Sequence, residues 1–166
     1  MTQEHADLLQ SLGTHRFFLR QTVRDLTDEQ ARRRSTVSEL NLASLIKHVA
    51  AVEDQWVRFI LQGPAAIGDF SPERAAAYAS EWVVRDDETL VALLARYEQV
   101  ARHTDEVLAS LPDLDAAHPL PSAPWFQPGA TWSARRVLLH IIAETSQHAG
   151  HADIIREAVD GAKTMG

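Results

Sequence analysis

The stretch WSARRVLLHIIAETSQHAGHADIIREAVDG, residues 132–161, decides how the rest of the chain folds. Ser133 suits an N-cap and Gly161 falls just past the last periodic position, so one long helix is expected between them. Val137, Ile141, Ala152, Ile155 and Val159 recur at helical spacing and mark a buried stripe. Glu144 and His148 fall on that stripe four residues apart, and His151 lies a further turn along. A carboxylate and two imidazoles aimed into a core are costly unless paired or bound to something.

Working outward, residues 3–24 read as a first helix, with Leu8, Leu9, Leu12, Phe17, Leu19 and Val23 as its apolar positions. Thr27 and Gln30 form a capping box that opens a short helical turn. A second long helix is expected from about Asn41 to Leu61, ended by Gly63-Pro64. Leu45, His48, Val52, Trp56 and Phe59 trace its inner face, so His48 is another ionisable group on an apolar stripe. Glu53 lies about 140° around from His48 and shares no face with it. Ser71-Pro72-Glu73 opens a short helix through Tyr78. Asp86-Asp87 opens a third long helix to about Ser110, stopped by Leu111-Pro112. Residues 113–131, rich in proline and carrying Trp125 and Phe126, form one long irregular loop of the kind that is functional or disordered. Residues 162–166 read as a frayed tail. Four long amphipathic helices with a Pro-rich crossover before the last make an all-α four-helix bundle, in one domain spanning residues 1–166. Strand signals are almost absent.

Of the 166 residues, 45% are apolar and 23% charged, which is ordinary globular composition. A net charge of -7 argues against nucleic acid as a partner, because phosphate binding needs a clustered basic face. Arg32-Arg33-Arg34 is the only basic knot and reads as a solvated helix end. The acidic residues of MTQEHADLL do not suit a secretory signal, and no apolar run reaches the roughly 18 residues of a membrane span. A cytoplasmic location without membrane contact is therefore expected. There is no cysteine, which excludes disulfides, thiolate ligands and a cysteine nucleophile.

His48, Glu144 and His148 together match the ligand set of several catalytic zinc sites, where a fourth position stays open. Glu144 and His148 can grip one ion from one helix, and His48 would close the third vertex from a facing helix. The plain alternatives are a chance Glu-x-x-x-His surface pair and a hydrogen-bonded core histidine. The zinc-protease signature His-Glu-x-x-His is absent, and the two Glu-x-x-His pairs of a di-iron bundle are missing. His140, one turn before Glu144, either orients it or is structural. His151 is open between a partner that orients a ligand, a general base and a further ligand. Asp153 and Arg156 read as a surface or helix-end pair. His5, His15, His103 and His118 read as solvent or loop residues.

The segments SLIKHVAAVEDQWVRFILQG (44–63) and TWSARRVLLHIIAETSQHAGHADIIREAVDG (131–161) resemble the DinB/YfiT-like superfamily of metalloenzymes. The resemblance is strongest to its actinobacterial branch, once a domain of unknown function, which contains mycothiol-dependent S-transferases. It implies an up-down-down-up four-helix bundle, often a homodimer. It also implies a divalent metal, commonly zinc or nickel, held by three side chains near one end of the bundle. The corresponding positions here are His48, His148 and Glu144. Many relatives carry histidine in place of Glu144, but the maleylpyruvate isomerase-like members carry glutamate. Where many relatives have glutamine, this chain has His151.

A cation held by two neutral imidazoles and one carboxylate favours the thiolate form of a thiol bound beside it. A small-molecule thiol cosubstrate, activated in this way, can attack an electrophilic small molecule, with His151 or His140 taking the proton. Arg58, Arg135 or Arg136 can bind a carboxylate on the cosubstrate, or be surface charges. Trp125, Phe126 and Trp132 can wall the acceptor pocket, or simply pack under the loop. The alternatives are a hydrolase that uses metal-activated water and a non-enzymatic metal-binding bundle.

Overall fold

The computed structural model describes residues 2–164, so Met165 and Gly166 of the expected tail lie outside the described residues. Among the described residues there are six α-helices: α1 (Gln3–Gln21), α2 (Asp28–Arg32), α3 (Leu42–Gln62), α4 (Pro72–Glu81), α5 (Leu90–Ser110) and α6 (Ala134–Asp160). The caps follow the sequence. Ser133 accepts from the Arg136 amide, Gly161 takes the left-handed conformation at φ 82°, and Asn41 and Ser44 close a capping box on α3. Asp86-Asp87 does not open α5. Thr89 caps it, and the Asp28 carboxylate accepts from the Leu90 amide at 2.6 Å.

Helix directions follow from which residues meet. Glu4 pairs with Arg135 and Arg156 reaches the Thr22 carbonyl, so α1 and α6 run parallel. His5 bonds to the Leu111 carbonyl while Arg20 pairs with Glu98, so α5 opposes α1. Lys47 meets Glu88 and Glu53 meets Thr104, so α3 runs with α5. The order is up-down-down-up.

Two apolar clusters fill the bundle. One is built around Leu19, Leu45, Ile46 and Tyr97, the other around Leu12, Phe59, Leu108 and Ile141. A polar layer separates them in chain position. There Glu53, fully buried, receives both Arg16 and the Thr104 hydroxyl, and Arg16 also reaches Asp105. The sequence placed Glu53 correctly off the His48 face, but this burial is a property of the assembled helices.

The loop before α6 is not wholly irregular. Ala117–Pro119 (β1) and Thr131–Ser133 (β2) pair antiparallel, with His118 opposite Trp132. His118 docks this ladder on the end of α3: its ring donates to the Ile60 carbonyl at 3.1 Å and lies over Gly63, where a Cβ would come within 3.0 Å. His118 is therefore a packing residue, not a solvent one. His5 is buried too, bridging Thr2 and Leu111. Arg156 pairs with Asp160 and not Asp153, and Arg32 binds the carbonyls of Val84, Arg85 and Glu88 instead of facing solvent. Among the described residues, no helix is long and apolar enough to cross a membrane.

Candidate metal centre

Because α3 and α6 run antiparallel, the inner face of α3 meets the flank of α6 residue by residue. Trp56 lies against His140, with ring centroids 4.9 Å apart, and two turns away His48 lies against His148 at 5.0 Å. Glu144 falls between them on α6. One candidate ligand atom from each of His48, Glu144 and His148 lies within 4.8 Å of the others. The His148 Nε2 to Glu144 Oε2 separation is 3.5 Å. Ligand atoms on a tetrahedral zinc, at bond lengths of 2.0–2.2 Å, stand about 3.4 Å apart, close to the spacing of the His148–Glu144 pair.

Glu144 and His148 do not point into the core as the sequence stripe implied. The buried face of α6 runs through Val137, Leu138, Ile141, Thr145, Ala149, Ala152 and Ile155, and the two candidate ligands flank it, with side chains 27% and 12% exposed. Only His48 is fully buried. Its Nδ1 is closed off from solvent and has no hydrogen-bond partner among the described residues. A buried imidazole with an unsatisfied nitrogen, brought within ligand reach of a carboxylate and a second imidazole, is a donor set that a divalent cation satisfies, so the residues present fit the group.

Electrostatics prepare the same donors. Burial, aided by the nearby His148 and opposed by Glu144, lowers the His48 pKa to about 4, so the ring is neutral and its lone pair free at neutral pH. Glu144 is lowered by the hydrogen bond from His148, with His140, His148 and His48 adding to it against desolvation, and it stays ionised. Burial lowers His140 as well, with Arg136 in the same sense and Glu144 against. His151 places its Nδ1 3.4 Å from His148 Nδ1, on the ring edge away from Glu144. It lies outside the cluster of three and can orient His148, as partners of ligating histidines do.

Three side chains on α4 and its C-cap complete the site, and reading the sequence did not find them. Trp82 stacks on His48 at 3.7 Å and 20°, and Tyr78 stands edge-on to it at 5.8 Å. Burial, then the Glu144 and Glu81 carboxylates, raise the Tyr78 pKa and keep it a phenol. Arg74, Tyr78 and Trp82 recur every four residues, the signal that could have found them. A cavity of about 500 Å³ adjoins, lined by Trp56, Phe70, Tyr78, Trp125 and Phe126, with His140 and Glu144 at one side. That volume lies in the range of small-molecule sites. Trp132 stands behind this wall, stacked on Trp56 at 4.7 Å. Arg58 and Arg135 are tied to Asp54 and to Glu4 and Asp115, and Arg136 lies 4.1 Å over the Trp132 ring.

The family model described as mycothiol-S-transferase matches residues 7–161. No curated protein matches the chain. The crystal structure of a conserved protein from Enterococcus faecalis aligns with a TM-score of 0.68 at 16% identity, covering 98% of this chain and 100% of that one. At that identity the likeness is one of fold.

Proposed function

Matched by its model from residue 7 to 161, the chain belongs to the mycothiol-S-transferase family, and from that premise we propose that it is a metal-dependent thiol S-transferase acting on an electrophilic small molecule. The observation that carries this reading is the convergence of the buried His48 ring on the Glu144–His148 pair, with one donor atom of each within 4.8 Å of the others. His48, Glu144 and His148 would hold the ion, with zinc or nickel suiting two imidazoles and a carboxylate. Bound there, a divalent cation supplies the charge that makes a neighbouring thiol acidic at neutral pH.

The remaining chemistry belongs to the chain. His140 lines the cavity beside Glu144 and is neutral, so it can accept the thiol proton. The aromatic walls hold the electrophile and exclude water, while the Tyr78 phenol can donate to its leaving group. The sulfur forms a bond to the electrophilic carbon as the leaving group departs with the bonding pair. His151 keeps the His148 ring in place.

The test is turnover of monobromobimane by the zinc- or nickel-loaded protein with low-molecular-weight thiols. Rates should rise with thiol, fall on chelation and vanish in His48→Ala. Ester hydrolysis without thiol would instead establish a hydrolase. Metal retention with neither turnover would establish a metal-binding bundle.

A further inference from the structure

Within the cavity beside the candidate metal centre, Arg74 is the one cation among the described lining residues. The other walls are aromatic, aliphatic or small, apart from Gln55, the Tyr78 hydroxyl, His140 and the Glu144 carboxylate. Among the described residues Arg74 has no carboxylate partner, whereas Arg58, Arg85, Arg102 and Arg135 each have one. The carboxylate nearest in sequence on the loop side, Asp69, is engaged with the Ser122 amide at 2.8 Å. The guanidinium lies flat against Gly68, where φ is +71° and a Cβ would stand 2.6 Å from the Arg74 Cζ. The backbone around Gly68 is fixed, because Phe70 donates to the Ser122 carbonyl at 2.9 Å and packs edge-on against Trp125 at 5.2 Å.

From this polarity we infer that the cavity takes an acceptor with a planar apolar body and an anionic end, and that Arg74 is the residue selecting that end. The inference rests on the transferase reading, since it names the class of electrophile that site would use. Among the chain's own groups an anion finds its counter-charge only at Arg74, because the Glu144 side of the cavity presents a carboxylate, and a thiolate held at the metal centre would repel it there as well. The same polarity directs the opposite, reactive end of the acceptor toward His140 and Glu144. A guanidinium seated on a glycine presents its donor edge to a carboxylate or sulfonate in two parallel hydrogen bonds. The net charge of -7 repels anions from the protein as a whole, so capture depends on this one local cation.

Binding of 2-naphthalenesulfonate and of 2-naphthalenemethanol, two probes with one ring system, is followed by tryptophan quenching at about 0.1 M salt, where repulsion beyond about 10 Å is screened. Sulfonate is a poor metal ligand, and metal-loaded and chelated protein are both titrated. The sulfonate should bind about threefold to tenfold more tightly than the alcohol, the size expected of a partly exposed bidentate ion pair. Arg74→Gln should abolish that preference, Arg74→Lys should restore part of it, and Gly68→Ala should weaken it with the charge retained. Equal affinities in the unaltered protein, or a preference that survives Arg74→Gln, would overturn the inference. Because binding needs no turnover, failure of thiol transfer with the sulfonate preference intact would sink the transferase reading alone.

Discussion

His48 should make the metal-free protein acid-sensitive by an amount that can be worked out in advance. Its pKa is lowered to about 4 in the folded chain, chiefly by burial, against about 6.5 in an unfolded one. The unfolded state therefore binds a proton that the folded state refuses, and protonation favours unfolding. The His48 contribution is fully present above about pH 6.5 and is lost as pH falls toward 4. A gap of about 2.5 pH units, at about 1.36 kcal/mol per unit, gives a loss of about 3 kcal/mol by pH 4. Carboxylates elsewhere also titrate in this range, so the quantity to measure is a difference. Urea unfolding of chelated protein at pH 7 and pH 4 should show the unaltered chain losing about 3 kcal/mol more than His48→Gln, whose side chain is similar in size and does not titrate. Equal losses in the two proteins would refute the reasoning, since they would mean that His48 takes up its proton as readily folded as unfolded.

The buried ion pair gives a second expectation. Glu53→Ala leaves Arg16 with only the half-exposed Asp105 and strands the Thr104 hydroxyl, so urea midpoints should report a loss of about 3–5 kcal/mol. His151→Ala should leave the fold intact while weakening zinc or nickel retention by about 10–100-fold, measured by competition with a chromophoric chelator, because His148 loses the partner that fixes its ring.

Periodicity and caps were enough to locate the helices that carry His48, Glu144 and His148, because those signals are local: Asn41, Ser133 and Gly161 act on backbone groups within one turn. They set Glu144 and His148 too far inside. The apolar stripe itself is covered, with Val137, Ile141, Ala152 and Ile155 buried, but Glu144 and His148 stand at its edge, because the neighbouring helices α1 and α3 choose how far around α6 the cover extends. The β1–β2 ladder escaped notice because three-residue strands carry no periodicity of their own and exist only once His118 docks on α3.

What the chain alone determined is which residues stand on which helix, since turn geometry and capping need no partner. The tertiary structure decided the rest: that His48 faces His148 across an antiparallel contact, that Tyr78 of α4 and its C-cap Trp82 pack around it, and that Glu53 is buried with Arg16. Each of these joins positions thirty or more residues apart, where spacing along one helix carries no information and only the packing of helix on helix brings the groups together.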